Sequence, residues 1–212
     1  VSQLANVAES NSRVLLMGPS GAGKQVAARY LHKTSNRSGA AFVTVSCATI
    51  EPEVMEPMLF GRELPDGTIQ QGLLEQANGG VIFFDEVADL PFATQSKILK
   101  VLVEQKFERV GGTVRVEVDL RVVSSTNLDL EAEIEAGNFR RELFHRLNVV
   151  GISVPSLEER REDIPLLSAH FIEQYHELQG LALRPLSDEA AGALQTMVWA
   201  GNIRQLKNLI DR

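Results

Sequence analysis

The chain has 212 residues, room for one domain or one domain with a small lobe at roughly 150 residues per domain. Its composition, 44% apolar and 23% charged, is that of a chain able to bury a core, which excludes a disordered tail. The formal charge of −7 argues against a nucleic-acid coat, and the single cysteine, Cys47, excludes an internal disulfide or a multi-cysteine metal site. The longest apolar runs, 14–17 and 81–84, fall far short of the roughly 20 residues that a membrane-spanning helix needs. With no visible leader, a reduced, soluble, cytoplasmic protein with no membrane partner is the expectation.

Strand and helix signals alternate along the chain. Residues 14–18 predict a short buried strand, 24–32 a helix, and 42–46 a second strand, Phe-Val-Thr-Val-Ser. Residues 72–77 read as helical, and Asn78-Gly79-Gly80 stops them. Val81 to Asp85 is an unbroken β-branched and aromatic run, the pattern of a strand buried on both faces. Residues 94–105 predict a helix with Ile98, Leu99, Leu102 and Val103 on one face. Gly111-Gly112 between two extended pieces predicts a hairpin-like insertion over 107–118. Further strands are expected at 120–124 and 149–154, separated by a helix at 140–147.

Past Pro155 only helices remain. Residues 163–178 carry Ile164, Leu167, Phe171 and Ile172 on one side, and Ser187 caps a following helix. After Trp199-Ala200-Gly201, Asn202 and Gln205 form a capping box for the last helix. The expected fold class is therefore α/β, a parallel sheet flanked by helices over 1–157, followed by a small helical lobe over 158–212. The chain opens on Val1 and stops inside a helix-like segment, so it reads as cut at both ends.

Two motifs carry chemistry. Gly18-Pro19-Ser20-Gly21-Ala22-Gly23-Lys24 matches G-x4-G-K and lies between a strand and a helix. In that setting backbone N–H groups wrap a phosphate, and the helix N-terminus adds about half a positive charge. Lys24 is the side chain placed to reach the β and γ phosphates; a glycine turn beside a surface lysine is the alternative. The position after the lysine, where a hydroxyl normally ligates Mg2+, holds the amide of Gln25. The second motif is Val81-Ile82-Phe83-Phe84-Asp85-Glu86, which delivers two carboxylates to the carboxyl end of a buried strand. Asp85 is placed to hold Mg2+ through water, and Glu86 to orient and deprotonate an attacking water. A solvated acidic turn is the alternative. His32, His145, His170 and His176 lack ligand spacing, so no further metal is expected, and Cys47 reads as buried filler.

These motifs have company. Leu59-Phe60-Gly61, the 72–80 segment Gly-Leu-Leu-Glu-Gln-Ala-Asn-Gly-Gly, Phe107 to Gly112, Phe139 to Val149 and Trp199 to Asn208 resemble landmarks of one family. It is the central ATPase domain of sigma-54-type bacterial enhancer-binding regulators, the NtrC-like branch of the AAA+ superfamily. Matching stretches run from Val14 to Asn208. The wording Phe83-Phe84-Asp85-Glu86-Val87-Ala88-Asp89 and a shortened loop are most similar to the NtrX-like members, response regulators tied to nitrogen and redox signalling.

The resemblance implies a P-loop AAA+ core with a helical lid, and ATP or ADP with Mg2+ as ligands. It implies roles for five more residues. Thr126-Asn127 resembles the first sensor of the γ-phosphate, with a plain turn after a strand as the alternative. Arg204 resembles the second sensor, carried by the lobe; a solvated helix residue is the alternative. Arg140 and Arg146, six apart, resemble the arginine fingers that reach into a neighbouring subunit's site. Their alternative is ordinary charge on a helix, with Glu142 as a local partner. Fingers supplied from outside imply a ring of copies, a hexamer or heptamer. DNA and a sensor histidine kinase would be met only through flanking helix-turn-helix and receiver domains.

The chain also departs from the family. Activators carry GAFTGA in a loop between the equivalents of Gly61 and Gly72; here the interval 62–71 is ten residues with a polar turn at Pro65-Asp66-Gly67. Leu64 and Ile69 are its only large apolar side chains, so usual remodelling of sigma-54 polymerase is not expected. Ser46 stands where the family commonly has an Asn that restrains the catalytic glutamate. The expected function is an ATP-binding and ATP-hydrolysing central domain of a response-regulator transcription factor. A nucleotide-gated oligomerisation scaffold with negligible hydrolysis, and a sigma-54 activator proper, stand as alternatives.

Overall fold

The computed structural model describes residues 2–179 and 185–211. They fall into two compact units, Val1–Met17 with Gln25–Ser153, and Gly18–Lys24 with Val154–Arg212.

The first unit opens with α1 (Ser2–Ala8) and β1 (Val14–Met17). After α2 (Lys24–Lys33) come β2 (Phe42–Ser46), α3 (Pro52–Phe60) and a small hairpin of β3 (Arg62–Glu63) and β4 (Ile69–Gln70). Then follow α4 (Leu73–Gln76), β5 (Val81–Asp85), α5 (Phe92–Glu104) and a second hairpin, β6 (Lys106–Glu108) with β7 (Arg115–Glu117). β8 (Arg121–Thr126), α6 (Leu130–Glu135), α7 (Arg141–Leu147) and β9 (Val150–Ser153) complete it.

Five strands form one parallel sheet in the order β2-β5-β8-β1-β9. Their register is what builds the site. Ser46 is level with Asp85, Phe84 with Ser124, and Met17 with Thr126, so the carboxyl ends of β2, β5, β8 and β1 lie side by side. Val81, Ile82, Phe83 and Phe84 are buried, as an apolar run without alternation requires of a strand covered on both faces. Ile82 and Phe84 join Leu15, Val122, Ile98 and Leu102 in the core. Each such side chain is worth about 1.5–3 kcal/mol of burial.

The structure differs from the expectation at several places, each for a physical reason. The expected strand at 120–124 is β8, which runs on through Ser125 and Thr126. All six of its residues are buried, including Arg121, Ser124, Ser125 and Thr126, because ladder bonds hold the backbone and several of the polar side chains find partners elsewhere. On α5 the buried set is Thr94, Gln95, Ile98, Val101 and Leu102, with Val101 inside where Val103 was expected; Val103 is 55% exposed. Three helices arise where none was expected. α3 carries Pro52 at its first turn and Pro57 inside it, and proline reads as a breaker. α6 is capped by Asp129, whose side chain accepts from the N–H groups of Glu131 and Ala132. α1 lays its last carbonyls on Arg121: Nη1 donates to Ala8 O at 2.6 Å and Nη2 to Val7 O at 2.8 Å.

The second unit holds the loop Gly18–Lys24, a 3-10 turn at Glu158–Asp163, α8 (Ile164–Gln179), α9 (Asp188–Thr196) and α10 (Asn202–Ile210). Leu157, Ile164, Phe171, Leu194, Trp199 and Leu206 form its own core. The Trp199 indole donates to Leu194 O at 2.9 Å, so the polar end of the buried ring is satisfied. Ser187 caps α9 as expected, accepting from Ala190 N–H. The capping box at α10 is shifted. Gly201 is the cap, and Gln205 Oε1 accepts its N–H at 2.9 Å. Asn202 is buried at a left-handed φ of 52° and uses its amide elsewhere, as described below. Among the described residues no helix is long and apolar enough to cross a membrane.

Candidate active site

The glycine-rich bend Gly18–Gly23 turns its carbonyls onto a set of donors. Lys24 Nζ donates to Gly18 O at 2.8 Å and Pro19 O at 3.3 Å. Asn202 Nδ2 donates to Ser20 O at 2.9 Å, the Ile203 N–H to Gly21 O at 3.0 Å, and Arg160 Nη2 to Ala22 O at 2.6 Å. Five successive carbonyls are thus held by hydrogen bonds, which fixes the shape of the bend. Glycine is required at its centre. Gly21 has φ +76°, and a Cβ there would lie 2.4 Å from Gly201 O. Lys24 is 5% exposed, so its ammonium is held over the loop, while Gln25 is exposed at the start of α2.

Asn202 is the joint of this unit. Besides Ser20 O, its side chain accepts the buried N–H of Leu157 at 2.8 Å, and its own N–H donates to Trp199 O at 2.8 Å. Arg204, exposed on α10, reaches Ser20 Oγ at 3.4 Å. Ser20, Met197, Trp199, Gly201, Arg204 and Leu209 line a cleft of about 400 Å3.

In the first unit, β5 ends on Asp85 and Glu86, both half-buried. Glu86 has left-handed backbone, φ 56° and ψ 62°, which costs a non-glycine residue about 1–3 kcal/mol and persists only where neighbours hold it. The neighbours come from the end of β8. Glu86 N–H donates to Ser125 Oγ at 3.1 Å, and Ser125 Oγ donates to Asp85 Oδ1 at 2.6 Å. Asn127 N–H donates to Glu86 Oε2 at 2.8 Å. Asn127 therefore touches the acid through its backbone, and the residue is exposed. Burial, then the charges of Glu86 and Glu133, push the Asp89 carboxyl up. Burial, then Asp89 and Asp85, push the Cys47 thiol up, which agrees with its place in the core.

Arg140 is the N-cap of α7. Its N–H donates to Gln95 Oε1 at 2.9 Å, and its guanidinium lies 4.0 Å from the centre of the Phe92 ring. Its side-chain neighbour is thus Phe92 on α5, a cation–π contact. Arg146 is exposed in the last turn of the same helix. Sequence reasoning passed over Ser125, Asn202 as a cross-link, and Arg160. The polar run Ser124-Ser125-Thr126-Asn127 closing a buried strand was the available signal for Ser125. Arg160 and Asn202 reach the loop across 138 and 182 residues, a separation that no local pattern encodes.

Known proteins resemble the chain across both units. Residues 1–153 match the model of the Sigma-54 interaction domain, and residues 158–212 that of the AAA+ ATPase lid domain. The nitrogen assimilation regulatory protein NtrX of Azorhizobium caulinodans is 48% identical over 207 residues, 97% of this chain and 46% of that protein. Crystal structures of NtrX from Brucella abortus in complex with ADP and with ATP are 51% identical, with TM-scores of 0.94 and 0.93. Both cover 100% of this chain, against 47% and 49% of those chains. The chain thus spans about half the length of the relatives it matches. Its five-stranded parallel sheet with flanking helices, followed by a helical lobe, is the AAA+ P-loop fold. By sequence and by fold, the chain belongs to the Sigma-54 interaction domain family of AAA+ ATPases, in its NtrX- and NtrC-like branch.

Proposed function

We propose that this chain binds and hydrolyses ATP as the central domain of a two-component response regulator of nitrogen metabolism. The observation that supports the reading is the bend Gly18–Lys24 between β1 and α2, fixed in shape by hydrogen bonds to its carbonyls, with its lysine buried against it. The Brucella abortus relative, solved with ATP and with ADP, supports nucleotide as the ligand. Backbone N–H groups of Ser20, Gly21, Ala22 and Gly23 hold the phosphates, with Gly18 and Pro19 shaping the entry to the bend through their carbonyls, Lys24 countering the phosphate charge and Arg204 reading the nucleotide from the lobe.

The residues present fit Mg2+. Among the described residues no three His, Cys, Asp or Glu side chains gather as a cage. A lone carboxylate suits an ion that arrives on phosphate oxygens and keeps its waters. Asp85 and the Gln25 amide are the groups that would hold it, and it would neutralise charge on the transferring phosphoryl oxygens. Glu86 takes a proton from water as the water oxygen bonds to the γ-phosphorus and the bond to the ADP oxygen breaks. Asn127 positions Glu86, and Arg140 and Arg146 serve the site of the next copy in a ring.

Single-turnover hydrolysis tests this. Lys24→Ala is expected to lose nucleotide binding, and Glu86→Gln to bind nucleotide but hydrolyse it at least about 100-fold more slowly, the usual range for loss of a general base. Unchanged rates in both variants overturn the reading. A second reading, a nucleotide-gated scaffold with negligible turnover, is favoured by the Asn127 amide already bonded to Glu86 Oε2. Tight ATP binding by the wild type without phosphate release selects it. The β3–β4 hairpin, which occupies the loop position, has a polar tip and an exposed Ile69, so it does not engage sigma-54 in the usual way. DNA and a histidine kinase are reached through domains outside this chain.

A further inference from the structure

A serine hydroxyl has one proton to give and two lone pairs to receive with. Ser125, fully buried at the end of β8, uses both kinds on the two acids of the adjacent strand. Its proton goes to Asp85 Oδ1 at 2.6 Å, the short distance of a bond to an ionised acceptor. Its lone pair takes the Glu86 N–H at 3.1 Å. That bond ties the peptide leading into the left-handed Glu86, and two residues further on the Asn127 N–H ties the Glu86 carboxylate. Both ends of Glu86 and one oxygen of Asp85 are therefore bonded to the segment that closes β8, and the Ser125 hydroxyl is a side-chain atom that meets both acids.

We infer that Ser125 is a positioning residue for hydrolysis, its hydroxyl setting the direction in which Asp85 and Glu86 are presented. The inference rests on the ATPase reading above and deepens it. Asp85 is an acceptor on both oxygens. With Oδ1 committed to Ser125, its other oxygen is turned by that bond, as an outer hydrogen bond orients a metal-binding carboxylate. Alanine at 125 deletes the donor to Asp85 and leaves the Glu86 N–H without its acceptor in a buried place. Cysteine keeps a side chain of similar size but donates weakly, and threonine keeps the hydroxyl.

The test compares the full chain as wild type, Ser125→Ala, Ser125→Cys and Ser125→Thr. One readout is single-turnover hydrolysis. The other is binding of a slowly hydrolysed ATP analogue as Mg2+ is titrated, with thermal unfolding of each variant alongside. Outer-shell substitutions cost about 10–100-fold, so Ala and Cys are expected to lower kcat by at least about 10-fold and to raise the Mg2+ midpoint by a similar factor. KM for ATP and the affinity for Mg2+-free ADP stay within about 2-fold of wild type, and threonine restores most of the loss. A merely structural serine would lower the unfolding midpoint and leave the Mg2+ midpoint where it was. If alanine fails to fold, the cysteine variant decides on the same two readouts. Ala or Cys variants with wild-type kcat and Mg2+ midpoint overturn the role of Ser125 while Glu86→Gln remains inactive. Inactivity of the wild type, or full activity of Glu86→Gln, overturns the ATPase reading itself.

Discussion

Asp89 follows the turn that carries Asp85 and Glu86, and burial, then the charges of Glu86 and Glu133, push its carboxyl up. Its carboxyl therefore binds its proton more tightly folded than unfolded. Because the folded form holds more protons between the usual aspartate range and the raised value, stability falls as pH rises through that window and is level above it. Asp89→Asn is expected to be more stable than wild type at pH 7 and to lose that advantage near pH 3, read as urea midpoints at the two pH values. An advantage independent of pH would remove the charge from the explanation. At this scale the sequence was informative where a residue's work is local. Lys24, Asp85 and Glu86 stand out because a loop and a strand end announce them. Ser125 does not, since its bond to Asp85 spans 40 residues and depends on β8 running two residues past its apolar stretch.

Among the elements, β8 carries load at both ends. At one end Ser125 and Asn127 grip the acids; at the other Arg121, 2% exposed, holds the carbonyl end of α1. A guanidinium at a helix C-terminus meets the negative end of the dipole, so the buried charge is answered by carbonyls. Burial, then the charge of Arg37, lowers the affinity of Arg121 for its proton. Arg121→Ala removes two charge-assisted bonds and leaves a hole, and is expected to cost about 2–4 kcal/mol in urea unfolding. A loss below about 0.5 kcal/mol, the scale of an ordinary surface change, contradicts the anchor. Most strands were legible because their apolar runs are unbroken. α3 was not, for its prolines, and α1 was not, because its anchor lies more than a hundred residues away at 113 and 114 positions' separation. Val101 took the place of Val103 because α5 presents a face set by Thr94 and Gln95 as well as by its apolar residues.

Across the whole molecule, the alternation of strands and helices followed by helices alone was readable, and it predicted the sheet and the lobe. The membership of residues 18–24 was not, because their partners at 160, 202 and 203 lie far along the chain. Asn202 is the residue on which that membership turns. Asn202→Ala deletes its bonds to Ser20 O and Leu157 N–H and puts a Cβ-bearing residue without local hydrogen bonding at φ 52°. It is expected to cost about 2–4 kcal/mol, measured as the unfolding midpoint of the lobe followed by Trp199 fluorescence. A midpoint unchanged from wild type rules out the joint. The bend and the lobe share one scaffold, while the chain crosses to the sheet-bearing unit only between residues 17 and 18, 24 and 25, and 153 and 154. An anion gripping the bend would therefore pull on the same hydrogen bonds that hold Arg160, Asn202 and Ile203 of the lobe.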